Sequence, residues 1–271
     1  MTKYLLALLC FSFISCDFQG DNETRSDEYK QSIDQILLAH DLKGTVLILD
    51  DKENTYYSND FQLAQTGYLP ASTFKITNSI IALEANVIQD EHTILKWDGQ
   101  KRDFDIWEKD MSVRQAFQSS CLPCYRQIAR DIGVKRMKAY LNKLHYNNMD
   151  VNESTIDNFW ISGESRITPF EQIVFLKKFY TKKLPILNST YDKMLRIFEK
   201  QHTSTYVYYG KSGWSTQNNL HNGWFVGLIE RDNKVYYFAL NAEPIDQKDT
   251  SKFLTAREQA IQDVLKLMHI L

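Results

Sequence analysis

Pro70-Ala71-Ser72-Thr73-Phe74-Lys75-Ile76 is the stretch on which the reading of this chain turns. From Ile76 onward, Ile80, Leu83 and Val87 recur at spacings of four, three and four, the period of an amphipathic helix, so a helix is predicted with Ser72 and Lys75 in its first turn. Positions i and i+3 share a helix face, which brings the lysine amine within reach of the serine hydroxyl. A serine is a poor nucleophile without a base, and a lysine serves as that base only if burial or a nearby cation lowers its pKa from about 10.4. Amide dipoles at a helix N-terminus favour negative charge developing at Ser72. Taken alone, S-x-x-K is also what a plain helix cap at Ser72 would look like.

Upstream, Ile33, Ile36 and Leu37 share one face of a predicted helix over 27–40. The β-branched run 45–49 and a second strand-like piece around 55–57 flank Asp50-Asp51-Lys52 and read as a hairpin. Downstream, Tyr125, Ile128, Ala129 and Ile132 mark a helix stopped by Gly133, and Met137, Tyr140, Leu141 and Leu144 mark the next. Thr168-Pro169-Phe170-Glu171 is a helix start, with a capping hydroxyl, a proline in the first turn and a glutamate that caps back. Residues 206–209, 224–229 and 235–240 read as strands, the last two joined by a polar turn at Asp232-Asn233, and a final helix carries Ile261, Val264, Leu265 and Met268. Strands at both ends with helices between them predict an α/β (α+β) fold: one mixed, antiparallel sheet flanked by helices, with a helical subdomain inserted in the middle.

The chain has 271 residues, 43% hydrophobic, which is enough for one large core and a single domain. With 32 Lys and Arg against 34 Asp and Glu there is no broad basic surface, which argues against a nucleic-acid partner. No repeat and no glycine-rich phosphate loop is present. At the N-terminus Lys3 precedes an apolar run over 4–14, too short to span a bilayer, so 1–16 reads as a signal peptide. Its end, Phe13-Ile14-Ser15-Cys16, resembles a bacterial lipoprotein signal and makes Cys16 a candidate lipid anchor, with polar residues 17–26 as a flexible tether; ordinary cleavage near Ser15 is the alternative. Either way the expected location is periplasmic or secreted. Cys121 and Cys124 remain. Their C-x-x-C spacing fits a redox pair or half a zinc site, but no second pair or histidine arrangement completes a metal site, so two small buried thiols at a helix start are expected and no metal.

Ser120-Cys121-Leu122, Tyr146-Asn147-Asn148 and Lys211-Ser212-Gly213 follow Ser72 and Lys75 in the order in which penicillin-recognising enzymes carry a second serine, an asparagine-bearing loop and a K-[ST]-G strand. Together with the 70–76 stretch, Trp97-Asp98-Gly99, Leu122-Pro123-Cys124-Tyr125-Arg126-Gln127-Ile128-Ala129, Phe159-Trp160 and Gly223-Trp224-Phe225-Val226-Gly227, they make the chain from about 44 to 257 resemble the class D (oxacillinase-type) serine β-lactamases. The resemblance implies the β-lactamase/transpeptidase-like fold, with 27–271 as catalytic domain, and hydrolysis of the β-lactam amide of penicillin-type antibiotics through an acyl-enzyme on Ser72. It implies that Lys75 becomes N6-carboxylysine and serves as general base for acylation and deacylation, with the Trp160 indole as donor to the carbamate. Carbon dioxide or bicarbonate is then required, and no other cofactor. Ser120 would pass a proton to the lactam nitrogen. Lys211 would place positive charge near the substrate carboxylate and help keep Lys75 neutral. Ser212 would keep the hydroxyl of the usual threonine, and Gly213 would let substrate lie along the strand. Trp214 would join its N–H to that of Ser72 in an oxyanion hole, and Arg257, just before the last helix, would bind the carboxylate.

Without the resemblance, Trp160 is a core tryptophan, Ser120 and Lys211 are ordinary polar residues and Arg257 is an exposed arginine. Leu122 stands where the family usually has valine, which bears on water access to the carbamate. Asn147 replaces the glycine of Y-G-N, and asparagine tolerates the left-handed backbone that glycine would supply. The partner is a small β-lactam, and monomer and homodimer stay open. A β-lactam sensor that acylates without turnover is the alternative function, and a peptidoglycan carboxypeptidase a third.

Overall fold

The computed structural model describes residues 23–271; the predicted signal peptide, Cys16 and most of the predicted tether lie outside them. The last residues assigned to the tether do not behave as one. Thr24–Ser26 form a strand, β1, parallel to β3 (Thr55–Ser58). Polar composition suggested a solvated tail, but an open sheet edge offers unpaired backbone groups that any short extended segment can satisfy.

After β1 come α1 (Lys30–Ala39), β2 (Leu42–Asp50), β3 and then α2 (Lys75–Glu84). The middle holds two short strands, β4 (Ile94–Leu95) and β5 (Met111–Ser112), which pair only with each other, and five helices: α3 (Val113–Gln118), α4 (Leu122–Ile132), α5 (Val134–Lys143), α6 (Pro169–Tyr180) and α7 (Asn188–Phe198). The chain ends in β6 (Glu199–His202), β7 (Tyr206–Gln217), β8 (Leu220–Arg231), β9 (Lys234–Pro244) and α8 (Phe253–Leu267).

The first and last segments meet, as expected. The sheet order is β1-β3-β2-β9-β8-β7-β6, and β2 pairs antiparallel with β9 from Leu42↔Pro244 to Asp50↔Tyr236. Successive side chains of β2 point to opposite faces. Val46 and Ile48 pack with α1 and α8 residues such as Leu37, Ile261 and Val264, while Leu47 and Leu49 join the cluster on the other face with Ile80 of α2, Ile173 of α6 and Val226 of β8. Both faces are buried, so the strand reads in sequence as an unbroken apolar run. Asp232 and Asn233, φ 52° and 59°, make the two-residue turn between β8 and β9, and Asn218 and Asn219, φ 52° and 60°, make the same turn between β7 and β8.

The capping box before α6 is present: Glu171 N donates to Thr168 Oγ1 at 3.1 Å and Thr168 N to Glu171 Oε2 at 2.8 Å. The helix read through Val87 is shorter than expected. It ends at Glu84, because Asn86 adopts a left-handed backbone, φ 55°, that turns the chain away.

Candidate active site

Ser72 lies in a 3₁₀ turn, Ala71–Phe74, that runs into α2 at Lys75, so the α-helix begins about one turn later than expected. Lys75 Nζ still donates to Ser72 Oγ, at 2.9 Å. The turn is caged from three sides. Ala71, held left-handed at φ 51°, donates its N–H to Trp160 O at 2.6 Å; Thr73 Oγ1 donates to Pro70 O at 2.6 Å; Gln172 Nε2 from α6 donates to Thr73 Oγ1 at 2.7 Å. A left-handed residue with a Cβ costs about 1–2 kcal/mol, so the cage maintains a conformation the turn would not choose alone.

Lys75 is 1% exposed, with Nζ 5.1 Å from the centre of the Tyr125 ring. Burial is the main reason its amine falls to about 7, and the Arg126 guanidinium adds to the shift. An amine at that value is substantially unprotonated at neutral pH, the condition for a general base.

Ser120 also has a left-handed backbone, φ 54°. Lys211 of β7 reaches it: Nζ donates to Ser120 Oγ and, at 3.0 Å, to Ser212 O. Lys211 is buried, and its amine lies well below the usual lysine range, first through burial and then through the charge of Lys75. The two buried amines thus disfavour each other's charge. Arg126 is a further cation that lowers Lys75, a residue that sequence reasoning quoted within a motif but gave no role.

All five tryptophans of the chain lie in the described region, and their indole N–H groups separate them. Trp97 donates to Gln100 O at 2.9 Å, Trp107 to Ser119 O at 3.1 Å, Trp214 to His221 Nδ1 at 3.2 Å and Trp224 to Leu69 O at 2.8 Å. Trp160 is fully buried, stacked on Phe74 with ring centres 5.6 Å apart, and its Nε1 has no partner among the described residues. Arg126 Nε is likewise buried and unmatched. An unpaired buried donor costs about 1–3 kcal/mol, so each of the two is suited to an acceptor.

On the sheet side, Gly213 presses against the Ser72 turn: a Cβ there would lie 3.2 Å from Pro70 O and 3.3 Å from Ser72 N. The space expected for substrate along Gly213 is thus shared with the chain's own Pro70–Ser72 backbone. Opposite Gly213, Trp224 is its strand partner, and at the neighbouring pair Trp214↔Gly223 a Cβ on Gly223 would fall 2.6 Å from Arg257 Cδ. Arg257 lies within α8, not before it, and is buried rather than exposed. Its Nη1 donates to Gly213 O, its Nε to Phe253 O at 2.8 Å, and its guanidinium sits 4.5 Å from the Phe253 ring centre. Burial brings it down to about 10. It forms no ion pair among the described residues.

Leu122, the first residue of α4, packs half-buried against the core. The asparagine loop differs from expectation: the left-handed residues are His145 and Asn148, φ 53° and 60°, so Asn147 sits in ordinary backbone and its replacement of glycine carries no strain. Tyr146 reaches the site's underside, edge-on to Phe74 at 5.9 Å. Cys121 and Cys124 are not free thiols. They form a disulfide, because the N-cap and third residue of α4 bring their Cα atoms to 5.4 Å, within bridging range. Surface hollows lined by His40 and Asp249, and by Tyr68 and Asn241, include none of Ser72, Lys75, Ser120, Trp160, Lys211 and Arg257.

Residues 36–266 match the penicillin binding protein transpeptidase domain family. The chain is 36% identical over 227 residues to beta-lactamase OXA-48 of Klebsiella pneumoniae, covering 84% of each. It resembles the solved class D beta-lactamase of Sebaldella termitidis with a TM-score of 0.86 and 32% identity, over 92% of this chain and 99% of that one. The C-terminal domain of the Bacillus licheniformis BlaR penicillin-receptor, 23% identical with a TM-score of 0.81 over 92% of this chain and 97% of its own, shares the fold.

Proposed function

The chain belongs to the penicillin binding protein transpeptidase domain family and, within it, to the class D serine β-lactamases; from that membership we propose that its hydrolysis of β-lactams runs through Ser72 with a carboxylated Lys75 as base. The observation that carries the mechanism is the pairing of a buried amine near 7 with an unmatched indole N–H, that of Trp160. Carbamylation needs an unprotonated amine, and a carbamate in an apolar pocket needs donors. Lys75 meets the first requirement, and Trp160 Nε1 and Arg126 Nε suit the second. When present, the carbamate supplies an anionic oxygen as base for the Ser72 proton and later for the deacylating water.

The remaining steps belong to the chain's own groups. Ser72 Oγ attacks the lactam carbonyl, and the N–H groups of Ser72 and Trp214 hold the oxyanion. Ser120 Oγ, tied to Lys211, delivers a proton to the lactam nitrogen as the amide bond breaks. Negative charge on Lys75 lets Lys211 recover its proton, so Lys211 and Arg257 face the substrate carboxylate together; a buried guanidinium without an ion-pair partner suits that anion. Leu122, half-buried at the start of α4, limits water access to the carbamate.

We also assign the protein to an exported location, with 1–16 as signal and Cys16 as lipid anchor; a disulfide that persists is at home in an oxidising compartment. A sensor that acylates and stalls has the same fold, but the poised Lys75 favours turnover. Turnover of a chromogenic cephalosporin, with carbon dioxide stripped and then with bicarbonate added, tests the mechanism. Activity is expected to fall on stripping by more than about tenfold and to return with bicarbonate, since loss of a general base costs roughly 10²–10⁴-fold. Indifference to bicarbonate would make Lys75 a simple amine base.

A further inference from the structure

Cys121 and Cys124 take no part in this chemistry, yet they adjoin the serine that does. Helix α3 ends in a Schellman turn, in which Ser120 N donates to Phe117 O at 3.2 Å and Cys121 N to Ala116 O at 2.9 Å. The residue that such a turn holds left-handed is usually glycine, because a Cβ is disfavoured there; here it is Ser120. Cys121, next in the chain, is also the N-cap of α4, so one residue closes one helix and opens the other. A joint with a strained hinge and no slack relaxes by letting the second helix turn relative to the first, unless that helix's first turn is fixed. The disulfide fixes it, tying the residue after Ser120 to the third residue of α4. The same helix then anchors through Tyr125, whose ring lies against Lys75 and whose hydroxyl bonds Ser79 Oγ at 2.7 Å.

We propose that the Cys121–Cys124 disulfide is a positioning element for Ser120: closed, it keeps the hydroxyl against Lys211, and opened, it lets Ser120 leave its left-handed conformation, so that proton delivery to the lactam nitrogen slows. The inference rests on Ser120 being the proton carrier. Opening is thiol–disulfide exchange with a dithiol, which gives up two electrons and two protons. The Cys–Cys bond breaks to two thiols, and the dithiol closes to its own disulfide. Cys121 is fully buried and Cys124 half-buried, so the attack falls on the Cys124 sulfur. Cys121 then leaves as a thiolate at a helix N-terminus, where amide dipoles favour the charge.

The test compares oxidised protein with protein reduced by dithiothreitol. Free thiols are counted by alkylation of quenched aliquots, the fold is followed by far-UV circular dichroism, and penicillin turnover is measured for wild type, Ser120→Ala and the double variant Cys121→Ala/Cys124→Ala. A well-placed general acid contributes roughly 10²–10⁴-fold, and partial misplacement is expected to cost about tenfold of that. Reduction should therefore lower wild-type kcat about tenfold, with KM changed less than about twofold, and reoxidation should restore it. The double variant should match reduced wild type and ignore dithiothreitol. Ser120→Ala, already slow, should lose nothing more on reduction, since the disulfide acts through the missing hydroxyl. An oxidised Ser120→Ala as fast as wild type refutes the proton-carrier role and the inference with it. Fully reduced wild type with unchanged kcat overturns the positioning role alone. Helical signal lost in step with kcat also overturns it, because the disulfide would then be holding the fold rather than one side chain.

Discussion

Two serine–lysine pairs share one site and are built in opposite ways. Ser72 and Lys75 are three residues apart and meet because one helical turn stacks them on a face. Ser120 and Lys211 are 91 residues apart and meet only because the end of α3 lies beside β7. Each pair depends on a left-handed residue, Ala71 before the first serine and Ser120 itself in the second. In the first pair the turn that holds the strained residue is caged by hydrogen bonds to Trp160 O and Pro70 O and from Gln172 Nε2; in the second the strained residue is adjoined by a covalent bridge. The local pair inherits its geometry from the helix, so it is most sensitive to chemistry. The distant pair inherits it from packing, so it is most sensitive to displacement.

The contrast breaks most sharply at the two hydroxyls. Ser72→Ala is expected to abolish the covalent adduct seen by intact mass after penicillin is added, with turnover at background, because Ser72 Oγ is the hydroxyl that Lys75 Nζ contacts. Ser120→Ala should still form the adduct, about 10²-fold or more slowly, since only a proton path is lost. An adduct on the first variant, or none on the second, would reverse the roles assigned to the pairs.

A smaller effect sharpens the chemistry of the local pair. Lys75 titrates near 7, so its free amine, and activity with it, should decline as the pH falls below that value. Trp160→Phe keeps an aromatic ring on Phe74 but removes the N–H. Losing a hydrogen bond to a charged group costs about 1.5–3 kcal/mol, at least roughly tenfold in carbamate occupancy. Turnover in air should drop accordingly, and the bicarbonate needed for half-maximal activity should rise. An unaltered bicarbonate curve would return Trp160 to the role of a core tryptophan.

The smallest effect is on stability. Lys75 is lowered in the folded protein, so between about 10.4 and about 7 the unfolded chain binds a proton that the native chain does not. The native state therefore loses stability as the pH falls through that window, and the full cost is present below about 7. Lys75→Met, apolar and of similar length, should raise Tm at neutral pH by about 2–4 °C for each kcal/mol recovered, with the gain shrinking above pH 10. A Tm that does not move would mean that the amine is accommodated without cost.

Features confined to about four residues were legible in advance. The Thr168–Glu171 capping box, the Asp232-Asn233 turn, the stop at Gly133 and the Ser72–Lys75 contact all follow from backbone geometry acting on near neighbours. The two-faced burial of β2 was legible as an apolar run, and the joining of first and last strands followed from the order of elements. Motif order pointed to Ser120, Lys211 and Arg257 but could not place them. Ser120 looked like one more polar residue because its strain comes from where α3 stops. Arg257 looked exposed because the space for it is made by Gly223, 34 residues earlier on another element.

The sequence by itself determined the Ser72–Lys75 contact and the class of fold, because helix period and strand composition act through short-range sterics and burial. Tertiary structure decided the rest. It left Trp160 as the one indole without a partner among the described residues, brought Arg126 to bear on Lys75 and drew Thr24–Ser26 onto an open edge. Each of these depends on which donors, charges and edges stay unsatisfied after distant segments have packed, and that remainder is a property of the assembled surfaces rather than of any stretch of chain.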